Sequence, residues 1–338
     1  MALIAFDARD AFVPMPHGSG IYVRRLLEAF RRVQLRGHEL WPLVSGGRGA
    51  ELWWEQVSFP RRLRSRGAGL VHSPDSFLPL RRPCPGVVTV HDLAFEAIPH
   101  DMRGATAWKY RTFLPRCARS AERVICPSRF TAQDLSERYE IPSERIRVIP
   151  EAPALAPGAQ PSPEGPYLLS AGDLRPKKNL PLLIEAYRML RHDGLEHRLS
   201  IAGADLGEGA ELRRLAGGEP VEFLGFVGDD RLDALMRGAD ALVVTSVYEG
   251  FGLIVLDAMQ RGCPVVLARS GGLPETGGSA AVYFDPHDAR ELAGAVARVV
   301  GDRSEHERLA SLGRSRAREF SWEQAADATL SVYEELLP

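Results

Sequence analysis

The chain has 338 residues and a formal net charge of -2 at pH 7, and 45% of its residues are hydrophobic and 25% charged. This length exceeds one ordinary domain and suits two domains of about 150 residues each. The composition is typical of a soluble globular protein. No apolar run approaches the roughly 20 residues that a membrane-spanning helix needs, which excludes a chain that crosses a membrane as helices.

The first half of the chain alternates short apolar runs with longer amphipathic segments. Residues 1–7 are apolar but short and lack a basic leader, so we interpret them as part of a first strand and not as a signal peptide. The pattern predicts strands at residues 3–8, 39–44, 70–72, 87–91, 123–126 and 146–149, and helices at residues 20–36, 105–119 and 128–139. Residues 150–166 are rich in Pro, Ala and Gly, which is typical of a linker.

The second half resumes the same alternation. Strands are predicted at residues 167–171, 198–202, 221–224, 241–245, 264–268 and 281–283, and helices at residues 180–191, 211–216, 229–237, 252–261, 289–300, 304–319 and 321–336. The repeated alternation predicts an α/β fold with two parallel sheets, each covered by helices on both faces. Ligands of such sheets bind beyond the carboxyl ends of the strands.

Charge is unevenly distributed along the chain. Residues 1–150 contain 23 Lys and Arg against 15 Asp and Glu. A basic first half suggests an anionic partner, such as a phosphorylated acceptor or a lipid surface, although the arginines could equally coat solvated helices. Trp53 and Trp54, beside the arginines of residues 61–66, could dock a membrane or a hydrophobic acceptor, or belong to a mobile loop. The four cysteines, Cys84, Cys117, Cys126 and Cys263, form no C-x-x-C pair, and we interpret them as core residues in a reducing compartment.

The most informative segment is residues 246–259, which read SVYEGFGLIVLDAM between a predicted strand and a predicted helix. Such a turn offers backbone N–H groups and the positive end of a helix dipole to an anion such as a phosphate. Gly250 and Gly252 let the backbone approach a ligand closely. Glu249 and Asp257 are about two helical turns apart and can contact different parts of one extended ligand. The alternative is that these two acids only cap or solubilise the helix.

A second segment, residues 171–180, reads AGDLRPKKNL and again lies between a predicted strand and a predicted helix. Lys177 and Lys178 are two of only three lysines in the chain, the third being Lys109. Two cations at the entrance of a helix suit a diphosphate whose charge grows as it departs, and no divalent metal is then required. The alternative interpretation is a solvated run of charges.

Two features of the first half are less specific. The strand predicted at residues 87–91 ends in His91 and Asp92, and a single histidine at a strand end is usually packed or solvated. Gly18 and Gly20 follow the first strand in the sequence HGSG, and any strand-to-helix turn favours glycine. Asp92 is placed to orient the His91 ring.

The segment around Glu249 and Asp257 closely resembles the E-x7-E signature of retaining GT-B glycosyltransferases, in particular glycosyltransferase family 4. The resemblance implies that Glu249 contacts hydroxyls of the donor sugar and that Asp257 holds the ribose of the nucleotide. It also implies that the backbone amides around Gly250, Phe251, Gly252 and Leu253 line the sugar and phosphate. Asp257 stands where the family usually has Glu, so its carboxylate is one methylene shorter.

The resemblance extends to the other motifs. It implies that Lys177 and Lys178 grip the leaving diphosphate, with Arg175 as a further contact. By the same resemblance His91 reaches the donor sugar across a cleft, and Gly18 and Gly20 lie near the diphosphate and acceptor. Val227 would lie near the nucleotide base, and residues 270–275 resemble a loop whose Glu275 touches the ribose or base indirectly.

The implied fold is GT-B, with two Rossmann-like doubly wound domains that face each other across a cleft. We expect an acceptor-side domain at residues 1–155, completed by a helix at residues 321–338, a linker at residues 156–166, and a donor-binding domain at residues 167–320. The linker and the last helix are the candidate hinges for domain closure.

The implied activity is the retaining, metal-independent transfer of a hexose from a nucleoside-diphosphate sugar to an acceptor hydroxyl, in the synthesis of bacterial polysaccharide, glycolipid or glycoside. GDP-mannose is the leading donor and a UDP-sugar the second. The acceptor would be a glycan, a lipid-linked sugar or a small molecule. We expect no cofactor, no metal and no nucleic-acid partner. The expected location is the cytoplasm, and the basic first domain could in addition contact the inner face of the membrane.

Two other functions stay open. One is a sugar-nucleotide epimerase of GT-B architecture, which would need no acceptor. The other is a binding protein that has kept the fold and lost the activity. A Rossmann dehydrogenase is disfavoured because no G-x-G-x-x-G follows a predicted strand.

Overall fold

The computed structural model describes residues 1–13, 18–44, 51–102, 104–156, 158 and 165–337. The chain folds as two compact units, of which the first comprises Met1–Ala152 and Ser321–Pro338 and the second Pro153–Phe320. Most of the predicted linker, residues 157 and 159–164, lies outside the described residues.

The first unit contains a six-stranded parallel sheet in the order β2-β1-β3-β4-β5-β6. Its strands are β1 Leu3–Asp7, β2 Glu39–Leu43, β3 Leu70–Ser73, β4 Gly86–Thr89, β5 Arg123–Cys126 and β6 Ile146–Val148. Its helices are α1 Gly18–Phe30, α2 Glu51–Trp53, α3 Phe59–Arg66, α4 Ala94–Ala97, α5 Gly104–Ser120, α6 Arg129–Tyr139 and the last helix of the chain, α14 Trp322–Glu334.

Helix α14 packs into the core of the first unit although it lies at the far end of the chain. Ser321 caps it by accepting a hydrogen bond from the Gln324 backbone N–H, as the sequence predicts. Tyr333 is fully buried, and its hydroxyl lies 2.6 Å from Nδ1 of His72 in β3. The first unit therefore needs the end of the chain to complete its core.

The second unit contains a six-stranded parallel sheet in the order β12-β11-β10-β7-β8-β9. Its strands are β7 Tyr167–Ala171, β8 Arg198–Ala202, β9 Val221–Gly225, β10 Ala241–Val244, β11 Val265–Ala268 and β12 Ala281–Phe284. Its helices are α7 Leu180–His192, α8 Gly209–Ala216, α9 Asp229–Gly238, α10 Leu253–Gln260, α11 Leu273–Gly277, α12 Ala289–Gly301 and α13 Arg303–Ala317. The central strands β7, β10 and β11 are buried along their whole length, as expected for strands covered on both faces.

The structure confirms all twelve predicted strands and differs from the prediction at several helices. Helix α1 ends at Phe30 and not at residue 36. Beyond it, Arg36 has a positive φ of 49° and pairs with Asp327 and Glu334 of α14. Residues 51–66, which the sequence left unassigned, are helical, and Trp54 is buried there, so the loop suggested for Trp53 and Trp54 is wrong.

Candidate active site

The segment that carries Glu249 forms the turn between β10 and α10 in the second unit. Gly252 immediately precedes α10 and has a φ of +97°, a left-handed conformation that side chains other than glycine rarely adopt. A Cβ atom at this position would also lie 2.9 Å from the side chain of Leu273. The turn therefore depends on glycine, and it places the first amides of α10 at the carboxyl end of the sheet, where an anion is favoured.

A second loop, residues 270–276, holds this turn in place. The backbone N–H of Gly272 donates to the Glu249 carbonyl at 2.7 Å, and the Thr276 hydroxyl donates to the Phe251 carbonyl. A Cβ atom on Gly271 would lie 2.3 Å from the Glu249 carbonyl oxygen, so only glycine fits there. The family resemblance relates this loop to the ligand through Glu275, and the described contacts of the loop support the turn. The signal in the sequence was the pair of adjacent glycines after a strand.

The structure brings Lys177, Lys178 and Glu249 together, although Lys178 and Glu249 are 71 residues apart. The Lys178 ammonium lies 2.9 Å from one Glu249 carboxylate oxygen, and the Lys177 ammonium lies 4.0 Å from the other. Two further hydrogen bonds join the segments: the Val247 backbone N–H donates to the Lys177 carbonyl, and the Thr245 side-chain hydroxyl donates to the Lys178 carbonyl.

These three side chains form a polar cluster of net positive charge. Lys177 is only 7% exposed, and the side chains of Lys178 and Glu249 are 17% and 16% exposed. Partly buried charges are less screened by water and salt than surface charges. The cluster can therefore bind a phosphorylated ligand through the ammonium groups and accept hydrogen bonds from hydroxyl groups through the carboxylate.

Asp257 lies in α10 and contacts the chain that enters the second unit. One of its carboxylate oxygens accepts hydrogen bonds from the backbone N–H groups of Ala154 and Leu155, both at 2.8 Å, and the side chain is buried. Arg261 lies 3.8 Å from the same oxygen and donates to the Leu155 carbonyl. The described contacts of Asp257 therefore anchor this entering segment, a role that the sequence did not predict.

The other predicted donor-site residues occupy the same edge of the second unit. Arg175 is half-buried and immediately precedes the short helical turn Pro176–Lys178. Gly250 and Phe251 are buried, and the Phe251 ring packs edge-on against Phe320 at 5.9 Å between centroids. Leu253 begins α10. Val227 is half-buried in the connection between β9 and α9.

In the first unit, His91 follows β4 and has a partner at each ring nitrogen. Its Nδ1 lies 3.0 Å from Glu151 Oε1, and its Nε2 lies 2.9 Å from the Pro74 carbonyl oxygen. Asp92, which the sequence places beside this ring, accepts a hydrogen bond from the Ala94 backbone N–H at the start of α4. Glu151 could not be selected from the sequence, because only the order of the strands brings it beside His91.

Gly18 and Gly20 lie in the first turn of α1, where the sequence predicted a glycine-rich loop. The Ser19 hydroxyl between them lies 3.3 Å from an Asp75 carboxylate oxygen. His17, which belongs to the same motif, lies outside the described residues. The carboxylate of Asp75 and the start of α1 thus meet at the carboxyl edge of the first sheet.

Buried carboxylates are a feature of this edge that the basic composition of the first half conceals. Burial and the negative charge of Asp75 raise the pKa of Asp10 to about 6. Burial raises the pKa of Glu55 to about 7, although Lys109, 2.8 Å away, opposes the shift. The edge therefore carries acidic groups even though residues 1–150 as a whole are basic.

No three His, Cys, Asp or Glu side chains in the part of the chain that the structure describes are grouped so that they could hold a metal ion. In the same residues, no helix combines the length and the apolar character required to cross a bilayer. The four cysteines are unpaired by disulfides, and Cys117, Cys126 and Cys263 are buried as the sequence predicts.

Comparison with known families decides the class of the protein. The family of glycosyl transferases group 1 matches residues 156–316, and Glycosyltransferase Family 4 matches residues 21–152. Together the two matches span most of the chain and include Lys178, Glu249, His91 and Glu151. The chain belongs to the group 1 glycosyltransferases. This glycosyltransferase has the GT-B fold, with two six-stranded parallel sheets.

Similar proteins include two bacterial enzymes and a solved structure. O-antigen chain mannosyltransferase B of Escherichia coli is 29% identical over 296 residues, which cover 81% of this chain and 77% of that protein. D-inositol 3-phosphate glycosyltransferase of Corynebacterium jeikeium (strain K411) is 31% identical over 245 residues, which cover 65% of this chain and 58% of that protein. The match therefore spans little more than half the length of this second relative.

The solved structure is that of Anabaena Alr3699/HepE in complex with UDP and glucose. It is 19% identical to this glycosyltransferase, covers 99% of this chain and 100% of that chain, and has a TM-score of 0.73. At this identity the similarity concerns the fold.

Proposed function

We propose that the protein transfers a hexose, with mannose favoured, from a nucleoside-diphosphate sugar to an acceptor hydroxyl with retention at the anomeric carbon and without a metal ion. The observation that carries the proposal is the cluster of Lys177, Lys178 and Glu249 beside the start of α10. It combines two cations for a diphosphate with one carboxylate for sugar hydroxyls.

The ion pair between Lys178 and Glu249 suggests how the donor binds. The diphosphate takes the place of the Glu249 carboxylate as the partner of the Lys178 ammonium, and the released carboxylate accepts hydrogen bonds from the sugar. The lysines then stabilise the negative charge that develops on the leaving phosphate, which is the interaction expected to accelerate the reaction most. In a retaining reaction of this kind, the leaving phosphate takes the proton of the acceptor hydroxyl on the same face of the sugar.

The identity of the donor is proposed from the similar proteins. The Escherichia coli relative is a mannosyltransferase, which favours GDP-mannose, whereas the complex of the Anabaena protein contains UDP and glucose, which keeps a UDP-sugar as the second candidate. We propose an acceptor with free hydroxyl groups, such as a glycan, a lipid-linked sugar or a small glycoside, in the synthesis of bacterial polysaccharide or glycolipid.

Replacement of Glu249 tests the proposal. Release of the nucleotide from GDP-mannose and UDP-glucose is measured for the wild type and for Glu249→Gln, which removes the charge and keeps the shape. We expect the turnover rate to fall by about 100-fold or more, as for other preorganised groups that act in the transition state. The matched control is Glu211→Gln, an exposed carboxylate of the same unit. A Glu249→Gln variant that is folded and as active as the wild type would contradict the assignment.

Peripheral contact with a membrane is a further part of the proposal. Trp53 is 59% exposed and precedes α3, whose residues Arg61, Arg64 and Arg66 are exposed. Exposed tryptophan and arginine side chains favour the interface of an anionic bilayer. We expect the protein to sediment with vesicles of phosphatidylglycerol and not with vesicles of phosphatidylcholine, and Trp53→Ala to weaken the binding. Equal binding to both kinds of vesicle, or to neither, would contradict this part.

A further inference from the structure

The surroundings of His91 determine where its protons lie. The Pro74 carbonyl oxygen, 2.9 Å from Nε2, can only accept a hydrogen bond, so Nε2 carries a proton. The Glu151 carboxylate lies 3.0 Å from Nδ1. An isolated carboxyl group is more acidic than an imidazolium by about two pKa units, so the shared proton belongs to Nδ1. Both nitrogens therefore donate, which requires the doubly protonated, positively charged ring.

Segments that follow three strands of the first sheet fix this ring. His91 follows β4, Pro74 follows β3, and Glu151 follows β6. The Tyr22 ring from α1 packs edge-on against the imidazole with 4.7 Å between centroids, and the Thr131 hydroxyl from α6 donates to the His91 carbonyl. Glu151 itself is 5% exposed. The imidazole is thus held at both polar edges and on its face, and neither nitrogen has a lone pair available to take a proton from a substrate.

The pKa shifts of His91 and of the titratable groups around it are consistent with a positively charged ring. Burial alone lowers the pKa of His91, but Glu151, Asp75 and the Pro74 carbonyl outweigh it and raise the pKa to about 9. His72, in β3, is neutral at working pH, since burial and then the charge of His91 lower its pKa to about 3. Burial also raises the pKa of Tyr22, which stays neutral. His91 is therefore a cation that faces two acidic side chains, Glu151 and Asp75, and burial raises the pKa of Asp75.

We propose that Glu151 is a positioning residue that keeps His91 doubly protonated, so that His91 serves the transfer reaction as a fixed positive charge and not as a base. The catalytic part of this proposal rests on the proposed function, whereas the protonation state of His91 does not. The role deduced for Glu151 also differs from that of Glu249, because Glu151 acts through the imidazole.

Histidine-ring NMR of the 15N-labelled full chain tests the protonation state. The signals of His91 are identified by their loss in His91→Gln and are followed from pH 5 to pH 10. We expect both wild-type ring nitrogens to stay protonated beyond pH 8, and the titration midpoint to fall by about two pH units in Glu151→Gln. The matched control, Glu144→Gln, removes an exposed carboxylate of the same segment and should leave the midpoint unchanged. A wild-type midpoint near 6.5, or an unchanged midpoint in Glu151→Gln, would overturn the proposal.

Glu151→Asp covers the case in which Glu151→Gln does not fold. Its carboxylate is retained but lies farther from Nδ1, so we expect a midpoint below that of the wild type and still above 6.5. A Glu151→Asp protein whose His91 titrates at or below 6.5 would show that the charge of residue 151 does not hold the proton, and would count against the proposal.

The pH dependence of activity separates a positioning role from a merely structural one. Release of GDP from GDP-mannose, or of UDP from UDP-glucose, is measured from pH 5.5 to pH 9. We expect Glu151→Gln to be nearly as active as the wild type at pH 5.5, where His91 is protonated in both, and about tenfold less active at pH 8. An equal loss at every pH would assign Glu151 a structural role only. If the wild type itself releases no nucleotide, the proposed function fails, and the NMR titration still decides the protonation of His91.

Discussion

Asp257 has structural contacts that the role implied by its motif does not include. The family resemblance assigns it to the ribose, whereas in the structure its carboxylate accepts the backbone N–H groups of Ala154 and Leu155. Asp257→Ala would leave both N–H groups without this acceptor. Each buried donor without a partner costs about 1–3 kcal/mol, so we expect the two to lower the free energy of unfolding by about 2–6 kcal/mol, measured by urea denaturation.

The matched variant for this prediction is Asp257→Asn, which keeps an acceptor oxygen and should lose less stability than Asp257→Ala. An Asp257→Ala protein as stable as the wild type would contradict the anchoring role. The affinity of folded Asp257→Asn for nucleotides addresses the ribose contact separately. A fall of more than tenfold at unchanged stability would assign Asp257 to the ribose, as the resemblance implies.

At the residue scale, the sequence predicts what lies within one motif and misses what the fold brings together. Lys178 and Glu249 could each be selected because each lies in a local pattern of glycines and charges at a strand-to-helix turn. Their contact could not be predicted from either pattern alone. Glu151 carries no motif, and its pairing with His91, 60 residues away, depends on the order of the strands.

At the scale of elements, the contact between α14 and β3 makes the first unit sensitive to acid. His72 is fully buried, and its ring nitrogens contact the Tyr333 hydroxyl at 2.6 Å and the Thr89 hydroxyl at 2.9 Å. Because burial lowers the pKa of His72 to about 3, its neutral form is required in the fold. The unfolded chain binds a proton at this histidine below about pH 6.5, and the fold does not.

The contribution of neutral His72 to the free energy of unfolding is therefore complete above pH 6.5 and is lost as the pH falls toward 3. At pH 5 this effect makes the free energy of unfolding about 2 kcal/mol lower than at pH 7. We expect His72→Gln to abolish this part of the acid dependence, measured as the change in unfolding free energy between pH 7 and pH 5. His100→Gln, an exposed histidine of the same unit, is the control. Equal pH dependence in the wild type and in His72→Gln would contradict the prediction.

The elements themselves were largely predictable because hydrophobic periodicity is a local property. All twelve strands follow from short apolar runs. The region that failed, residues 51–66, contains Pro60 and a π-helical turn at Trp54–Ser58, and neither gives a regular 3.6-residue pattern. Helix α11 was missed because its five residues contain a proline and a glycine, which in sequence indicate a loop.

At the scale of the whole molecule, the charge asymmetry of the sequence does not describe the ligand edge of the first sheet. The first 150 residues are basic, yet Asp10, Asp75 and Glu55 lie at or near the carboxyl ends of its strands, with raised pKa values caused first by burial. Net charge reports on solubility and long-range attraction. The local chemistry of a binding edge depends on the few side chains that the fold places there.

The most direct test of the donor site is the stabilisation of the protein by nucleotides. Unfolding temperatures are measured with GDP, UDP, ADP and dTDP, each with and without EDTA, for the wild type, Lys178→Ala and Arg303→Ala. Arg303 is an exposed arginine of the same unit and serves as the control. A nucleotide at about 100 times its Kd adds about 2.7 kcal/mol, which corresponds to a few degrees.

We predict that one nucleotide, with GDP favoured, raises the unfolding temperature of the wild type and of Arg303→Ala in the presence of EDTA, and does not do so for Lys178→Ala. Stabilisation that disappears with EDTA would contradict metal independence, and stabilisation that persists in Lys178→Ala would contradict the assigned site. If none of the four nucleotides stabilises the folded wild type, the donor-site proposal fails and a binding protein without transferase activity becomes the better account.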